Sequence, residues 1–231
     1  MTLIREKFNQ QRYREKIQQL SENDMFRVEY ILEFIGNKKK VLDIGCWEGL
    51  IGELIARNNN EVYGVDISES VLKIAQGKGV KTHKVDIESE ELPFPANYFD
   101  VVVAGEVIEH VFDTDSFLKK IKHVLKDGGN LIITTPNLAT LGRRLLLLLG
   151  KNPLMEVSID GDAAGHIRYF IKETLVDLLE KHGFKIDKIT SDIINFNNSG
   201  RFYSVRLARI FPTLGRTLIV RAENMKGGLT G

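Results

Sequence analysis

The stretch Val41-Leu42-Asp43-Ile44-Gly45-Cys46-Trp47-Glu48-Gly49 constrains this chain more than any other. Val41, Leu42 and Ile44 suit a buried strand interrupted by one acid, and the apolar spacing after the glycines, from Leu50 to Ala56, suits a helix. Strand, glycine turn, helix is how open α/β sheets begin a ligand site, because glycine lets the backbone come close where a Cβ would clash.

The alternation continues downstream. Patterning predicts strands over 41–44, 62–65, 80–85, 99–104, 131–135, 184–190 and 218–222. It predicts helices over 50–56, 67–76, 113–125 and 171–182, with a further helical stretch over 5–35 that includes Ile17, Leu20 and Phe26. Ser68 is expected to cap the second of these helices, and Asp127-Gly128-Gly129 to close the one over 113–125. Such alternation predicts an α/β fold, a parallel sheet with helices on both faces. At 231 residues the chain is read as one domain, with a helical cap at 1–35, a main body at 36–231, and 137–170 as a lid or acceptor insertion.

Charge and cysteine usage narrow the setting. A net charge of +1 gives no overall pull toward nucleic acid or an anionic membrane, so any such attraction must come from local clusters. Cys46 is the single cysteine, which excludes an internal disulfide and a cysteine-based zinc site. The first residues lack an apolar core, and no run of about 18 apolar residues occurs. A cytoplasmic setting is expected.

The turn Gly45-x-x-x-Gly49-x-x-Gly52 is not the dinucleotide pattern, and Glu48 within it would repel a pyrophosphate. Asp66 ends the second strand at about the 20-residue spacing from Gly45 that suits a carboxylate on ribose hydroxyls. Asp43, Glu48 and Asp66 around one turn favour a nucleoside cofactor with a positive centre, a sulfonium, over NAD.

These residues resemble a known family. Residues 41–49 resemble the first motif of class I S-adenosylmethionine-dependent methyltransferases, and Tyr63-Gly64-Val65-Asp66-Ile67-Ser68 the second. Val85-Asp86-Ile87, Phe99-Asp100-Val101-Val102-Val103 and Leu125-Lys126-Asp127-Gly128-Gly129 are similar to later landmarks, so the likeness covers roughly residues 36–190. The resemblance implies a Rossmann-like, seven-stranded, mostly parallel sheet with its last strand antiparallel, and S-adenosyl-L-methionine as cofactor. It implies that Asp43, Gly45, Cys46 and Gly49 form the cofactor turn, the glycines flooring the methionine portion. It places Asp66 and Ile67 about the ribose and adenine, Asp86 and Ile87 on the adenine edge, and Gly105 and Glu106 by the sulfonium. Where the family often has glycine, this chain has Trp47, which either covers the cofactor or packs on a neighbouring helix.

Gly105-Glu106-Val107-Ile108-Glu109-His110 follows the fourth strand, at the sheet edge where ligands sit. As a helix it would carry Glu106, Glu109 and His110 on one face. Glu109 and His110 are the catalytic candidates, His110 as a general base on a hydroxyl acceptor. A metal reading stays open, because Glu106, Glu109, His110 and the downstream His166 resemble the set of methyltransferases that modify the terminal ribose of small RNAs.

Toward the acceptor, residues 141–149 with Arg143-Arg144 read either as an amphipathic membrane-surface helix or as a lid packed on the domain. Residues 201–211, with Arg201, Arg206 and Arg209 among apolar residues, have a similar character. The sequence therefore predicts a methyltransferase, directed to oxygen, on a small or lipid-linked acceptor of glycan or phenol type, with peripheral membrane contact. Metal-assisted methylation of an RNA ribose and a non-catalytic cofactor-binding module stand as alternatives; the near-zero net charge weakens the first.

Overall fold

In the computed structural model, which describes residues 22–153, 165–196 and 202–226, the organising stretch forms β1 (Lys40–Ile44) at the centre of a seven-stranded sheet. The other strands are β2 (Glu61–Asp66), β3 (Lys81–Lys84), β4 (Phe99–Gly105), β5 (Leu125–Pro136), β6 (Phe184–Ser191) and β9 (Thr217–Asn224), in the order β3-β2-β1-β4-β5-β9-β6. The first five are parallel, and β9 runs antiparallel to both β5 and β6. This is the Rossmann-like α/β sheet that the motifs implied. A short antiparallel pair, β7 (Ile194–Asn195) with β8 (Tyr203–Ser204), stands apart from the main sheet.

Side-chain alternation along each strand divides the core into two layers. Leu42 and Ile44 of β1 join Val102, Leu131, Ile133 and Val220 on one face. Helices α4 (Thr114–Val124) and α6 (Lys172–Lys181) cover that face through Phe117, Leu118, Ile121, Leu175 and Leu179. Val41, Val101, Val103, Ile132 and Ile219 point to the other face. There α1 (Glu22–Ile35), α2 (Leu50–Arg57) and α3 (Glu69–Gly77) supply Ile31, Phe34, Ile55 and Ala75. The described part of the expected helical cap is thus a structural layer of the domain. Ile17, Leu20, Arg201 and residues 154–164 of the expected insertion lie outside the described residues.

Two local expectations are corrected. Asp127-Gly128-Gly129 does not close a helix and precede a strand; β5 already begins at Leu125. The register against β4 jumps from Phe99↔Leu125 to Val101↔Asn130, so the glycine turn is a bulge inside the ladder, with Gly128 at φ 72°. Ser68 occupies the N-cap position of α3 without capping through its side chain. Its hydroxyl pairs instead with that of Ser70 at 2.9 Å, and its N–H donates to Asp66.

Beyond β5, α5 (Leu141–Leu148) follows the N-cap Thr140, whose hydroxyl accepts from the Arg143 N–H. None of its residues is buried. Its leucines make no core, although Leu141, Arg143 and Leu146 are half-buried and the Arg144 guanidinium donates to the Thr213 carbonyl at 3.1 Å. The chain then returns through residues 165–171 to α6, and later forms α7 (Val205–Ile210) and a 3₁₀ turn, Pro212–Leu214, before β9.

Candidate active site

Strand order reverses direction at β1 and β4, and their carboxyl ends are where open α/β sheets leave a crevice. The glycine turn occupies one side of it. The N–H groups of Gly45 and Cys46 both donate to the Val65 carbonyl, at 2.8 and 3.1 Å, which pins the turn to the end of β2. Gly45 is exposed and left-handed at φ 69°, and a Cβ there would lie 2.8 Å from Val107 Cγ2. Gly49, at φ 70°, lets α2 start beside α3: a Cβ would meet that of Ala75 at 2.7 Å. Both expected glycines are required by the backbone itself.

Two acids stand behind this turn. Asp43 is buried on the face of α1, α2 and α3, and burial first, then the neighbouring Asp66, lifts its carboxyl to about 7. Asp66 is also buried, and desolvation raises its pKa against the backbone N–H groups that favour the charged form. It accepts from Ser68 at 2.9 Å and from Trp47 at 3.2 Å. Trp47 reaches that bond through a left-handed backbone, φ 52°. Among the described residues no lysine or arginine pairs with either acid. A buried acid pair of this kind fits a ligand that brings a positive centre and ribose hydroxyls, and suits a pyrophosphate badly. Cys46 is buried, with its thiol pushed far up by burial and by Asp43 and Asp66, so it is an inert wall.

The resemblance assigns the adenine side to the loop after β3, beside which Ile67 and Ile87 are half-buried. Asp86 binds its own loop, accepting from the Glu88 N–H at 3.1 Å and the Ser89 hydroxyl at 2.9 Å. The Lys120 ammonium donates to the Ile87 carbonyl at 2.7 Å, and the Glu88 carboxylate accepts the N–H of Phe112, so this loop is braced against the segment after β4.

That segment departs from the helix expected there. Glu106 is left-handed at φ 56°, and only Ile108–His110 forms a 3₁₀ turn, so Glu106, Glu109 and His110 do not share a helical face. Each goes its own way. Glu106 pairs with Arg27 of α1 at 3.0 Å and accepts from the Thr134 hydroxyl at 3.0 Å. Glu109 is 1% exposed and accepts from the Thr135 hydroxyl at 3.1 Å. Burial, reinforced by Glu106, lifts its carboxyl to about 8. His110 Nδ1 lies 3.0 Å from the Gly165 carbonyl. A carbonyl can only accept, so Nδ1 carries the proton and Nε2 is the basic nitrogen.

The returning segment completes the site. Ile167 and Arg168 donate their N–H groups to the Glu109 carbonyl at 2.9 and 3.1 Å, and the Arg168 guanidinium holds the carbonyls of Val111 and Phe112. His166 thereby sits beside His110, ring centroids 4.9 Å apart, with Nε2 3.9 Å from Glu109 Oε1. Glu109, His110 and His166 offer ligand atoms that all lie within 4.8 Å of one another. Of the four residues in the sequence's metal set, three therefore converge, while Glu106 is taken up by Arg27. Arg27, Thr134, Thr135 and Arg168 are site residues that the motifs did not mark. The two threonines had one signal: they end a strand at the same sheet edge.

Comparison with known proteins places the chain in a family. A family described as a methyltransferase domain matches residues 6–189. The chain is 32% identical over 165 residues to the mitochondrial ubiquinone biosynthesis O-methyltransferase of Homo sapiens, covering 68% of this chain and 44% of that protein. It is 34% identical over 126 residues to the ubiquinone biosynthesis O-methyltransferase of Nitrosomonas europaea, covering 51% and 53%. The matched span is thus about half the length of these relatives. Its fold is that of a possible histamine N-methyltransferase from Thermotoga maritima (TM-score 0.62, 21% identity, covering 86% of this chain and 90% of that one). It is also that of an S-adenosylmethionine-dependent methyltransferase from Mesorhizobium loti (TM-score 0.62, 18% identity, covering 88% and 98%). With a family match running across most of its length, the chain belongs to the methyltransferase-domain family and has the fold of class I S-adenosylmethionine-dependent methyltransferases.

Proposed function

We propose that this enzyme methylates a hydroxyl oxygen on a small, amphiphilic acceptor of phenol type, free or lipid-linked, and that His110 is the base. The observation that carries this reading is the bond between His110 Nδ1 and the Gly165 carbonyl, which fixes the tautomer with Nε2 basic. An amine acceptor needs no such base, whereas a hydroxyl must lose its proton as its oxygen is alkylated. Bound S-adenosylmethionine supplies the activated methyl group. Gly45 and Gly49 would floor its amino-acid portion, Asp66 would receive the ribose hydroxyls, and Ile67, Ile87 and Asp86 would hold the base. Asp43 would favour the positive centre. Glu109 is a positioning residue: its buried side chain anchors on Thr135, and its carbonyl holds residues 167 and 168 so that Gly165 meets His110. The relatives that carry the name of ubiquinone O-methyltransferases support oxygen as the target.

Calorimetry tests the cofactor side: S-adenosylmethionine should bind in the micromolar range and lose that affinity on Asp66→Ala, and tight binding of NAD instead would overturn it. His110→Ala should lower turnover of a phenolic acceptor by about 10²-fold or more while sparing cofactor affinity. Undiminished turnover would remove His110 as base.

One further observation favours a second reading. The convergence of Glu109, His110 and His166 suits a divalent cation that would lower the pKa of the acceptor hydroxyl. Turnover unaffected by exhaustive chelation, and not raised by added Mg²⁺ or Zn²⁺, would end it.

A further inference from the structure

The chemistry leaves one surface without a role. Along α5 and its C-cap, Leu145, Leu148 and Leu149 recur at i, i+3 and i+4 and are 52, 81 and 70% exposed. This stripe does not stand alone. Helix α5 touches β7, α7 touches both β7 and the turn Pro212–Leu214, and the Arg144 guanidinium donates to the Thr213 carbonyl at 3.1 Å. The exposed Phe196, Phe202, Ile210 and Phe211 lie in or next to these neighbouring elements. Monomeric soluble proteins seldom leave so many large apolar residues together in water.

Charge identifies the occupant. Residues 137–153 and 202–216 contain no aspartate or glutamate, although the whole chain holds 31 of them against 32 lysines and arginines. Arg144, Lys151 and Arg206 are exposed within those two segments. A second copy of the chain would bring these cations together across a two-fold axis, which is unfavourable. An anionic lipid surface accepts both parts at once: apolar side chains enter the acyl boundary and the cations meet headgroup phosphates. No helix among the described residues is long and apolar enough to cross a membrane, so such contact is made in the interface plane.

We propose that α5, the paired strands β7 and β8, α7 and the Pro212–Leu214 turn form a docking surface for an anionic bilayer. The placement matters for the reaction. Helix α5 leaves directly from the carboxyl end of β5, and the same excursion returns with Gly165 and His166 to Glu109 and His110. The docked face thus adjoins the acceptor side of the crevice. The proposal deepens the phenol reading by naming the phase from which an amphiphilic acceptor comes, and rests on that reading for the acceptor alone.

Vesicle flotation of the full chain tests it, with phosphatidylcholine vesicles with and without phosphatidylglycerol. The protein should float with the anionic vesicles, and less as salt rises. Leu148→Ser/Leu149→Ser should weaken this on the order of tenfold or more, with unchanged circular dichroism because neither residue is buried. Arg206→Glu should weaken it and reduce the salt dependence. Absence of flotation, or undiminished flotation of both variants, overturns the proposal. So does a dimer in sedimentation that the leucine substitutions dissociate. Calorimetry with S-adenosylmethionine on the same preparations should give equal affinities. Lost docking then counts against the surface alone, whereas failure to methylate a water-soluble phenol counts against the acceptor reading.

Discussion

Asp43 is buried in the second core layer with its carboxyl lifted to about 7, and Glu109 is buried with its carboxyl near 8. Both values exceed those of an unfolded chain, so between the two limits the folded state binds more protons. These groups therefore favour the fold at low pH, and that contribution is lost as pH rises from about 4 to about 8. The thermal midpoint of the cofactor-free enzyme should fall between pH 5 and pH 8, and Asp43→Asn should flatten much of that slope. A cationic ligand works the other way, because it favours the ionised carboxyl. Affinity for S-adenosylmethionine relative to S-adenosylhomocysteine, which lacks the charge, should therefore rise as pH passes through about 7. An affinity ratio independent of pH would sink the role given to Asp43. Residues of this kind were legible in the sequence because strand ends and glycine turns announce themselves within a few positions. Arg27 was not legible: its partner Glu106 comes from a distant element, and only packing of α1 against the sheet brings them together.

Elements were legible where periodicity and local chemistry agree, and misread where they compete. The five parallel strands and the helices between them follow from apolar spacing. Asp127-Gly128-Gly129 has every mark of a turn, and it is one, but pairing with β4 on either side absorbs it into a single strand as a bulge. Residues 105–110 have helical spacing, yet the left-handed Glu106 breaks the helix and turns its carboxylate to Arg27 and Thr134. A double-mutant cycle on Arg27→Met and Glu106→Gln should give a coupling of about 1–3 kcal/mol, since the arginine is largely buried. A coupling indistinguishable from zero would mean that the helix is not tied to the site through this pair. Gly49 makes a sharper point about packing. Its left-handed φ and the 2.7 Å approach to Ala75 leave no room for a methyl group, so Gly49→Ala should cost about 1–3 kcal/mol in urea unfolding.

At the level of the molecule, a polar network around Arg216 ties the segment after β6 to α1. Asp192 is fully buried between β6 and β7 and pairs with Arg216 at 2.6 Å. The same guanidinium reaches the Asn23 carbonyl and Asp24 of α1, both at 3.1 Å. Arg216→Ala would leave a buried carboxylate without its cation and should cost about 3–5 kcal/mol, readable as a shift in the denaturation midpoint at constant slope. The antiparallel last strand was legible only by resemblance and its place in the sheet not at all, because nothing local in 217–224 says that this strand belongs between two others. That position has a bearing on how the protein is made. Strand β9 separates β5 from β6, and Ile219 shares a layer with Tyr30, Ile31 and Phe34 of α1. During synthesis β6 leaves the ribosome before β9, its ladder partner among the described residues, and α1 before the strand that completes the surface it covers. Until residues 217–224 emerge, the growing chain carries an open strand edge and a partly uncovered apolar helix face, which makes this strand the step that closes both against chaperones and aggregation.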